Sequence, residues 1–526
     1  MNSVRTYNSR ISILSNINFD DIAVHFIVFG VSAAACAILL MTYGNVFAAM
    51  GFITLLSIIL ITFYRVDWGF YVFMSMVLLF DQFHIPGRDP ITYKISYFKN
   101  LKEISYLPHF SAGVINPIEF QLALMMFAWF IAISVRKRTR IQHVSVWGLG
   151  ILFFIMLIAS FVHGLSTGGK FLPALWELRA LFYFGFLFFF VPQIIQTKEQ
   201  IRTLMWVFII FISIKALQGA ARLVAQGLSF DGFETLTNHE DAVFINLLFL
   251  FLLGLIIIGG NKKQRNVLFG LFIILALGFY AGQRRAAYAG MFISLFAFIL
   301  LINKQERKIL FKAAFPFIIF VIIYSAAFWN SNSKLASPVK LIKSGIMLNK
   351  KEDGERYLSN LYRVFERYDL AYTSRKSLIT GLGFGKKYKL VIPLPNIPFP
   401  LRDYIPHDEI LWIFVKTGAL GFFIFWFFFD SLIIKGSMLC KKMKDPYLRV
   451  IGTLIVIAII NQMVVSYYDL QLTYYRDMIV LGTLCGLLPA LESIDKGTKE
   501  EFENLIDRSD NEESTDNVEA ELVTNE

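Results

Sequence analysis

The sequence contains little charge and little cysteine for its length. Only 17% of its 526 residues are Asp, Glu, Lys or Arg, whereas 56% are hydrophobic and 16% are aromatic. These proportions lie far outside the range of soluble globular domains. The three cysteines, Cys36, Cys440 and Cys485, do not imply a disulfide framework. The composition therefore argues against a soluble or disulfide-stapled protein and indicates an integral membrane protein.

Several motifs that carry chemistry in other enzymes are missing as well. The chain has no Asp-x-Asp motif, which disfavours a nucleotide-sugar donor held by a metal ion, and it has no Walker-type phosphate loop. No group of Cys and His residues has the spacing of metal ligands. We therefore predict neither a metal nor a cofactor. The glycine-rich stretch 381–385 is too short for a dinucleotide fingerprint and predicts a tight turn.

Apolar segments long enough to span a membrane recur along almost the whole chain. A span needs about 20 apolar residues, and we predict an all-α polytopic membrane protein with about 14 transmembrane helices. The predicted spans are roughly 22–43, 46–64, 67–80, 118–135, 145–163, 175–195, 203–224, 243–260, 266–281, 286–302, 313–329, 408–435, 449–467 and 472–490. The ninth and tenth lie so close together that they could form one broken or re-entrant unit.

Clusters of Lys and Arg at the short connections indicate the orientation. With strict alternation of the spans, all the clusters fall on one side together with both termini, and the positive-inside rule makes this side the cytoplasm. The clusters lie at 136–140, 196–202, 261–265, 303–312 and 436–449. The predicted segments are a cytoplasmic N-terminal segment (1–21), transmembrane helices 1–11 (22–329), a large extracytoplasmic loop domain (330–407), transmembrane helices 12–14 (408–490) and an acidic tail (491–526).

The net charge of +11 is unevenly distributed. The tail after Ala490 carries 13 acidic and three basic residues, which predicts a disordered cytoplasmic segment. Positive-inside loops explain the basic excess of the remaining chain better than binding of nucleic acid does. The loop 330–407 departs from that rule with 14 basic and six acidic residues, and a loop of this length is usually functional. Within it, 355–374 has the periodicity of an amphipathic helix.

Charged residues inside the predicted spans gather toward the outer half of the membrane. Ionisable groups at this depth are costly and often functional, although snorkelling and helix-end pairing also account for such residues. The outer set is Glu177, Arg179, Lys215, Arg222, Glu240, Asp241, Arg284, Arg285, Lys416, Arg476 and Asp477. Glu177 with Arg179 could form a local ion pair, as could Arg476 with Asp477.

The adjacent pair Arg284-Arg285 is the strongest candidate for a binding site among these charges. Two neighbouring guanidinium groups between apolar runs repel each other unless they meet an anion. The planar fork of arginine suits phosphate oxygens, and the anion at the outer face of a membrane is a lipid phosphate or diphosphate. If that lipid carries a sugar, glycosyl transfer requires charge stabilisation on the leaving diphosphate and a base for the acceptor hydroxyl.

A candidate base lies at the mouth of the twelfth predicted span, in the sequence Pro406-His407-Asp408-Glu409. Histidine titrates near neutral pH and is therefore suited to this role. The alternative is that His407 is only a satisfied polar group at a span end. His109, His163 and His239 also face outward in the predicted topology, and His239 with Glu240 is the next candidate.

Three ordered stretches resemble the O-antigen ligase/O-antigen polymerase superfamily of bacterial membrane glycosyltransferases. The similarity covers roughly residues 240–430, and the N-terminal spans resemble the family only in hydropathy. The stretches are Gly282-Gln283-Arg284-Arg285-Ala286-Ala287 opening a span, Arg363 followed by Gly381-Leu382-Gly383-Phe384-Gly385, and His407-Asp408-Glu409-Ile410-Leu411 with Thr417-Gly418 and Gly421.

The resemblance implies metal-independent, inverting transfer of a glycan from undecaprenyl diphosphate, without a cofactor. It places the protein in the bacterial inner membrane with its active site facing the periplasm. Carried over by position, Arg284 or Arg285 and Arg363 would bind the donor diphosphate and His407 would be the base. Asp408, Glu409, Arg179 and Arg367 are secondary candidates.

The sequence departs from the family pattern at three places. Asp408 stands where Asn is usual, and Lys416-Thr417 stands where an acidic residue often precedes the glycine. The arginine often found before the eighth span is missing from 229–241, where His239-Glu240-Asp241 stand instead. We take Arg222 as its substitute in donor binding.

The resemblance leaves the type of transfer open. We expect a polymerase of O-antigen, capsule or exopolysaccharide repeat units, and the alternative is a ligase that moves the finished glycan to lipid A-core or another acceptor. A transporter of lipid-linked glycan would require internal repeats and midplane charges, which the sequence does not show. The expected partners are the undecaprenyl-diphosphate-linked glycan, an acceptor glycan, membrane lipids, and a chain-length regulator and flippase of the same pathway.

Overall fold

The computed structural model describes most of the chain and is built from helices. The described residues are 21–41, 43–44, 46–85, 90–103, 114–136, 141–142, 144–228, 230, 235–331, 336, 339, 343, 350–395 and 401–495. Within them, all regular secondary structure is helical, which confirms the predicted all-α class. The predicted N-terminal segment up to residue 20, His109 and the tail beyond residue 495 lie outside the described residues.

The helices follow the apolar segments of the sequence, and polar side chains cap several of their ends. Asn303 and Glu306 form a capping box at the start of α13, and Asp445 accepts a hydrogen bond from the Leu448 N–H at 3.0 Å at the start of α16. The helices are α1 (Asp21–Met41), α2 (Val46–Tyr64), α3 (Val66–Leu79), α4 (Ile91–Lys94), α5 (Pro117–Arg136), α6 (Trp147–Ser166), α7 (Phe171–Ile194), α8 (Lys198–Ala225), α9 (His239–Ile257), α10 (Lys262–Gly270), α11 (Phe272–Ala281), α12 (Arg285–Leu301), α13 (Lys304–Phe328), α14 (Lys350–Ser374), α15 (Glu409–Lys442), α16 (Pro446–Tyr468) and α17 (Tyr475–Asp495).

Nine helices within the described residues are long and apolar enough to cross a membrane. They are α5 to α9, α13 and α15 to α17. The pair α10 and α11, bent by 56°, would make a tenth span. Helices α1, α2, α3 and α12 contribute shorter apolar segments: Val28–Met41, Ala49–Tyr64, Val66–Leu79 and Arg285–Leu301. A helix or bent pair therefore lies at every predicted span, but a count of 14 crossings is not confirmed and stays a prediction.

The helical structure is interrupted twice in the region of the ninth and tenth predicted spans, and the first interruption lies within the ninth span. Leu271 separates α10 from α11. A second interruption at Gly282–Arg284 separates α11 from α12, and Gln283 has a positive φ of 47° there. The helix that starts at Arg285 is thus preceded by non-helical backbone, which leaves its first N–H groups at a helix terminus.

The chain divides into two compact units. The first comprises Met1–Ile141, Arg202–Ile245 and Leu271–Gln283. Within it, α8 and α11 approach closely, because a Cβ atom on Gly278 would lie 2.6 Å from the Cα atom of Ala216. Lys215 is buried and its Nζ atom lies 2.5 Å from Asp81 Oδ1 and 3.7 Å from Asp241 Oδ2. Two of the predicted membrane charges therefore belong to one buried ion-pair network.

The second unit comprises Gln142–Ile201, Asn246–Gly270 and Arg284–Glu526. Aromatic rings from α6, α7 and α15 form much of its core: the Phe153 and Phe428 rings stack with centroids 5.3 Å apart, and Phe184 lies 5.4 Å from Phe429. Helix α16 packs against α12 and α15. This core supports α14, α15 and the segment that joins them.

The glycine stretch predicted as a tight turn is a bend wedged between α6 and α15. The Gly383 N–H donates to the Lys416 carbonyl at 2.9 Å, and a Cβ atom on Gly383 would lie 2.3 Å from the Cα atom of Gly164. Gly418 breaks the regular helical backbone of α15 with φ 69° and ψ −173°. Both positions need glycine because of the close backbone approach and the positive φ.

Candidate active site

Helix α14 carries several residues of the candidate site, and its faces differ in burial and polarity. Its buried face carries polar groups as well as apolar ones: Tyr362, Glu366, Asp369, Leu370 and Thr373. Their partners lie in the segment that leads to α15. Asp369 Oδ1, for example, accepts the N–H groups of Val391 and Ile392, each at 2.9 Å. The buried polar groups of this amphipathic helix therefore make hydrogen bonds inside the second unit.

His407 is held by Glu366 of α14. The Glu366 carboxylate accepts the backbone N–H of His407 at 2.9 Å, and its Oε2 atom lies 3.3 Å from His407 Nδ1. Glu366 is 1% exposed, whereas the His407 side chain is 15% exposed. The ring of Tyr362 meets the imidazole edge to face with centroids 5.3 Å apart. These contacts engage the Nδ1 side of the imidazole and fix the orientation of the ring.

Tyr388 also lies near the Glu366 carboxylate. Its hydroxyl donates to the Arg402 carbonyl at 2.8 Å and lies 3.5 Å from Glu366 Oε1. Burial and the Glu366 charge raise the pKa of Tyr388 well above its ordinary value, so its hydroxyl stays protonated. The chain thus provides Glu366 with neighbours that fix its position.

Asp408 and Arg367 fix the start of α15. The Asp408 side chain caps the helix by accepting the Leu411 N–H at 3.0 Å, and it also accepts from Arg367 Nε at 2.9 Å. Burial raises the pKa of Asp408, although the Leu411 N–H and the Arg367 guanidinium act in the opposite direction. Arg367 stacks over the Tyr467 ring at 4.3 Å and donates to the Tyr467 carbonyl at 3.1 Å. Because Asp408 directly follows His407, these contacts also restrict the position of the His407 backbone.

Glu409 occupies a purely internal position. It is fully buried and accepts the backbone N–H groups of Gln471, Leu472 and Thr473, together with the Thr473 hydroxyl at 2.5 Å. With these four donors around it, Glu409 fastens the connection between α16 and α17. The geometry gives it an anchoring role.

The predicted donor-binding arginines of the second unit lie on α14 and at the start of α12. Arg284 precedes the first residue of α12 in an extended conformation, and Arg285 donates from Nη2 to Asn360 Oδ1 at 2.8 Å. Asn360 is one helical turn before Arg363 on α14. Arg363 is half-buried, and its Nε atom is buried without a hydrogen-bond partner among the described residues. The Nε–H group of Arg363 is therefore a hydrogen-bond donor that can bind an anion.

Three other candidates, Arg222, His239 and Glu240, lie in the first unit. Arg222 donates from Nη1 to the Leu236 carbonyl at 2.8 Å. His239 is the first residue of α9, and Glu240 follows it and is fully buried. The contact of Arg222 with the Leu236 carbonyl fixes the segment of the chain before α9.

Arg179 is buried in α7, and its neighbour Glu177 is paired elsewhere. Glu177 forms a salt bridge of 2.6 Å with Lys416 of α15, and both side chains are fully buried. Glu177 also accepts the Gly385 N–H at 2.5 Å. The local Glu177–Arg179 pair considered from the sequence is thus replaced by a pair between helices. Lys416, the departure from the family pattern, is explained by this partner.

Sequence reasoning missed Glu366, Asn360 and Tyr388. Glu366 is 41 residues from His407, so no local spacing connects them. The available signal was its place on the amphipathic helix, three residues after Arg363. Among the described residues, no group of three His, Cys, Asp or Glu side chains could hold a metal ion.

Comparison with family models links part of the chain to a known family. Residues 270–426 match the family model described as O-antigen ligase. The matched segment contains Arg284, Arg285, Arg363, Glu366 and His407, whereas Arg179, Arg222, His239 and Glu240 lie outside it. No curated protein matches the chain.

Proposed function

We propose that this protein is a membrane glycosyltransferase of the O-antigen ligase/polymerase superfamily and transfers a glycan from undecaprenyl diphosphate at the outer face of the bacterial inner membrane. The family match at residues 270–426 and the apolar helices support this proposal. The product of the transfer is a polymer of O-antigen, capsule or exopolysaccharide repeat units. One observation carries the proposal. Helix α14 of the family-matched segment provides both Glu366, which holds His407, and Arg363, whose Nε atom has no hydrogen-bond partner among the described residues.

His407 acts as the general base in this proposal. We assign the proton of the neutral imidazole to Nδ1, which lies 3.3 Å from Glu366 Oε2. The Nε2 lone pair then accepts the proton of the acceptor hydroxyl. The acceptor oxygen forms a bond to the anomeric carbon of the donor sugar while the bond from that carbon to the diphosphate oxygen breaks. The Glu366 carboxylate stabilises the imidazolium that results, in the manner of a carboxylate–histidine pair.

The arginines act on the leaving group. Negative charge grows on the diphosphate as the glycosidic bond breaks, and positioned guanidinium groups stabilise it. Arg284, Arg285 and Arg363 are assigned this role, with Arg222 as a further donor-binding candidate. The hydrogen bond from Arg285 to Asn360 supports the assignment, because it links the start of α12 to the helix that bears Arg363.

The remaining candidates divide by their contacts. Asp408 and Arg367 support His407 through the start of α15, and Glu409 anchors the α16–α17 connection. Their roles are positional in this proposal. His239, Glu240 and Arg179 stay candidates for contacts with the glycan or the donor. The expected partners are an acceptor glycan, a flippase that delivers the donor and a chain-length regulator.

A ligase is the second candidate function, favoured by the description of the matched family. The glycan profile of a deletion strain separates the two. A polymerase mutant accumulates single repeat units on the carrier, or capping the core, and lacks long chains. A ligase mutant retains long chains on the carrier and lacks them on the final acceptor. An unchanged profile would refute both.

A further inference from the structure

Helix α14 turns an apolar face outward, while the polar side chains of Glu366, Asp369 and Thr373 on another face are buried. Leu358, Leu361, Val364, Phe365 and Tyr368 form this apolar strip, and at 100° per residue they fall within an arc of about 120°. Val364 is 61% exposed and Tyr368 is 55% exposed. A soluble extracytoplasmic domain would place such a helix the other way round, with apolar residues inside. The strip therefore requires an apolar environment around the second unit.

The end of the strip is fastened to a membrane-spanning helix. After α14 the chain continues to Leu378 and Ile379, which are both exposed. The Leu378 carbonyl accepts the N–H of Ala419 at 2.8 Å, at the kink in α15. Leu420 and Phe423 on the same span are 62% and 65% exposed. The exposed apolar side chains of Leu378 and Ile379 therefore lie beside the outward apolar surface of α15.

Two lengths place this junction near the outer edge of the hydrocarbon layer. Helix α15 has 34 residues, and a span of about 20 residues counted back from Lys441 ends near Gly421. Helix α6 has 20 residues, and its Gly164 near the C-terminal end contacts Gly383. Both counts put the Leu378–Ile379 segment at the level where a span leaves the membrane.

The polar groups of α14 fit the same boundary. Asn360, Arg363 and Arg367 lie on a face between the apolar strip and the buried face, by the same 100° periodicity. Lys376, just beyond the helix, lies over the Tyr372 ring at 5.6 Å. An amphipathic helix with basic groups beside an apolar face is typical of a membrane interface, where the charges meet headgroup phosphates.

We infer that α14 lies in the outer membrane interface, with its apolar strip against the hydrocarbon chains of outer-leaflet lipids. The region 330–407 is then only partly an aqueous loop domain. Its central helix presents the arginine face beside the lipid surface, where a lipid-linked diphosphate would place its headgroup next to its tail. This inference rests on the orientation in the proposed function, in which the Glu409 end of α15 faces outward.

Spin labels on the full-length protein in lipid nanodiscs test this placement. Labels are attached at Val364→Cys and Tyr368→Cys in a background that lacks the three native cysteines. Leu420→Cys is the lipid-facing control, and Lys387→Cys is the water-facing control because its side chain is 56% exposed. Leu358→Cys and Ile379→Cys replace either strip variant that does not fold. Collisions are measured with oxygen, which concentrates in lipid, and with a water-soluble nickel chelate.

We expect the strip labels to behave like the label at position 420, with a ratio of oxygen to nickel collisions severalfold above that at position 387. Equal access of the nickel chelate at positions 364, 368 and 387 would mean that water covers the strip and would overturn the inference. Protection from both reagents would mean that protein covers it, which overturns the inference equally. The measurement does not require activity, so its outcome is independent of whether the protein transfers glycans.

Discussion

The buried carboxylate of Glu366 lies 3.3 Å from His407 Nδ1 and accepts the backbone N–H of the same histidine at 2.9 Å. One side chain thus fixes both the ring and the backbone of the candidate base. Because the two residues lie on different elements, the contact also ties α14 to the mouth of α15. The predictions for the site begin from this pair.

Replacing Glu366 by Gln should lower the turnover number while the KM for the lipid-linked donor stays nearly unchanged. A neutral amide stabilises an imidazolium far less than a carboxylate does. A general base accelerates such a reaction by about 10²–10⁴-fold, and we expect the variant to lose at least about tenfold of this rate enhancement. Steady-state rates of the purified protein check this. Asp403→Asn is the matched control, since Asp403 is an acidic residue of the same region that forms ion pairs with Lys387 and Arg402. An equal loss in the control would remove the special role of Glu366.

The double change Arg284→Ala with Arg285→Ala should abolish glycan output while the protein remains in the membrane. Two guanidinium groups at the start of α12 are lost, and with them the charge that the proposal assigns to stabilisation of the leaving diphosphate. Glycan profiles and membrane immunoblots of the complemented deletion strain measure both quantities. Asn360→Ala separates binding from positioning, because it removes one hydrogen-bond partner of Arg285 and keeps both guanidinium groups. If Asn360→Ala alone abolished output, the role of Arg285 would be to hold α14.

Replacing Arg363 by Ala should raise the KM for the donor, and Arg363→Lys should restore only part of the loss. Lysine keeps the charge but lacks the planar fork that binds phosphate oxygens at two points. Arg375→Ala is the control, because Arg375 is an exposed arginine just after the same helix. Donor titrations of the purified variants measure the effect. A KM for Arg363→Ala equal to that of the control would exclude Arg363 from donor binding.

Breaking the Glu177–Lys416 pair should destabilise the second unit. Each partner is fully buried, and removal of one leaves an uncompensated charge at a cost of about 3–5 kcal/mol. Glu177→Gln should therefore lower the melting temperature in detergent, and the added change Lys416→Met should recover most of the loss. The single variant Lys387→Met serves as a surface control. Two independent, additive losses would show that the residues do not act as a pair.

Truncation of the acidic tail after Asp495 should leave catalysis intact. Glu492 pairs with Lys435 at 2.9 Å, and Leu491 is buried. A chain that ends at Asp495 should complement the deletion strain fully, whereas one that ends at Ala490 loses these contacts and should be less stable. Loss of glycan output with the longer chain would assign the tail a part in the reaction.

The helical architecture could be predicted because each span is written locally as an apolar run. The number of crossings could not, since 66–79 and 285–301 are apolar helices too short for hydropathy to separate from buried ones. Arg284, Arg285 and His407 were found because arginines and a histidine are conspicuous between apolar segments. Whether they act as proposed stays a prediction.

The partners of these residues could not be predicted because they depend on packing between distant elements. Glu366 lies on α14 and His407 precedes α15, and Glu177 reaches Lys416 from another helix altogether. Charge alone suggested Arg179 as the partner of Glu177. The outward apolar strip of α14 was visible as a periodic pattern, but only the buried positions of Glu366 and Asp369 show which face is internal.

The rate of undecaprenyl diphosphate release by the purified protein tests the central claim most directly. The donor is the undecaprenyl-diphosphate-linked repeat unit, the acceptor is the glycan, and His407→Gln is compared with the unaltered protein and with His163→Gln as a matched histidine control. The account predicts a loss of about 10²–10⁴-fold for His407→Gln, with donor binding retained and little change for His163→Gln. Release at an unchanged rate by folded His407→Gln protein would contradict the account.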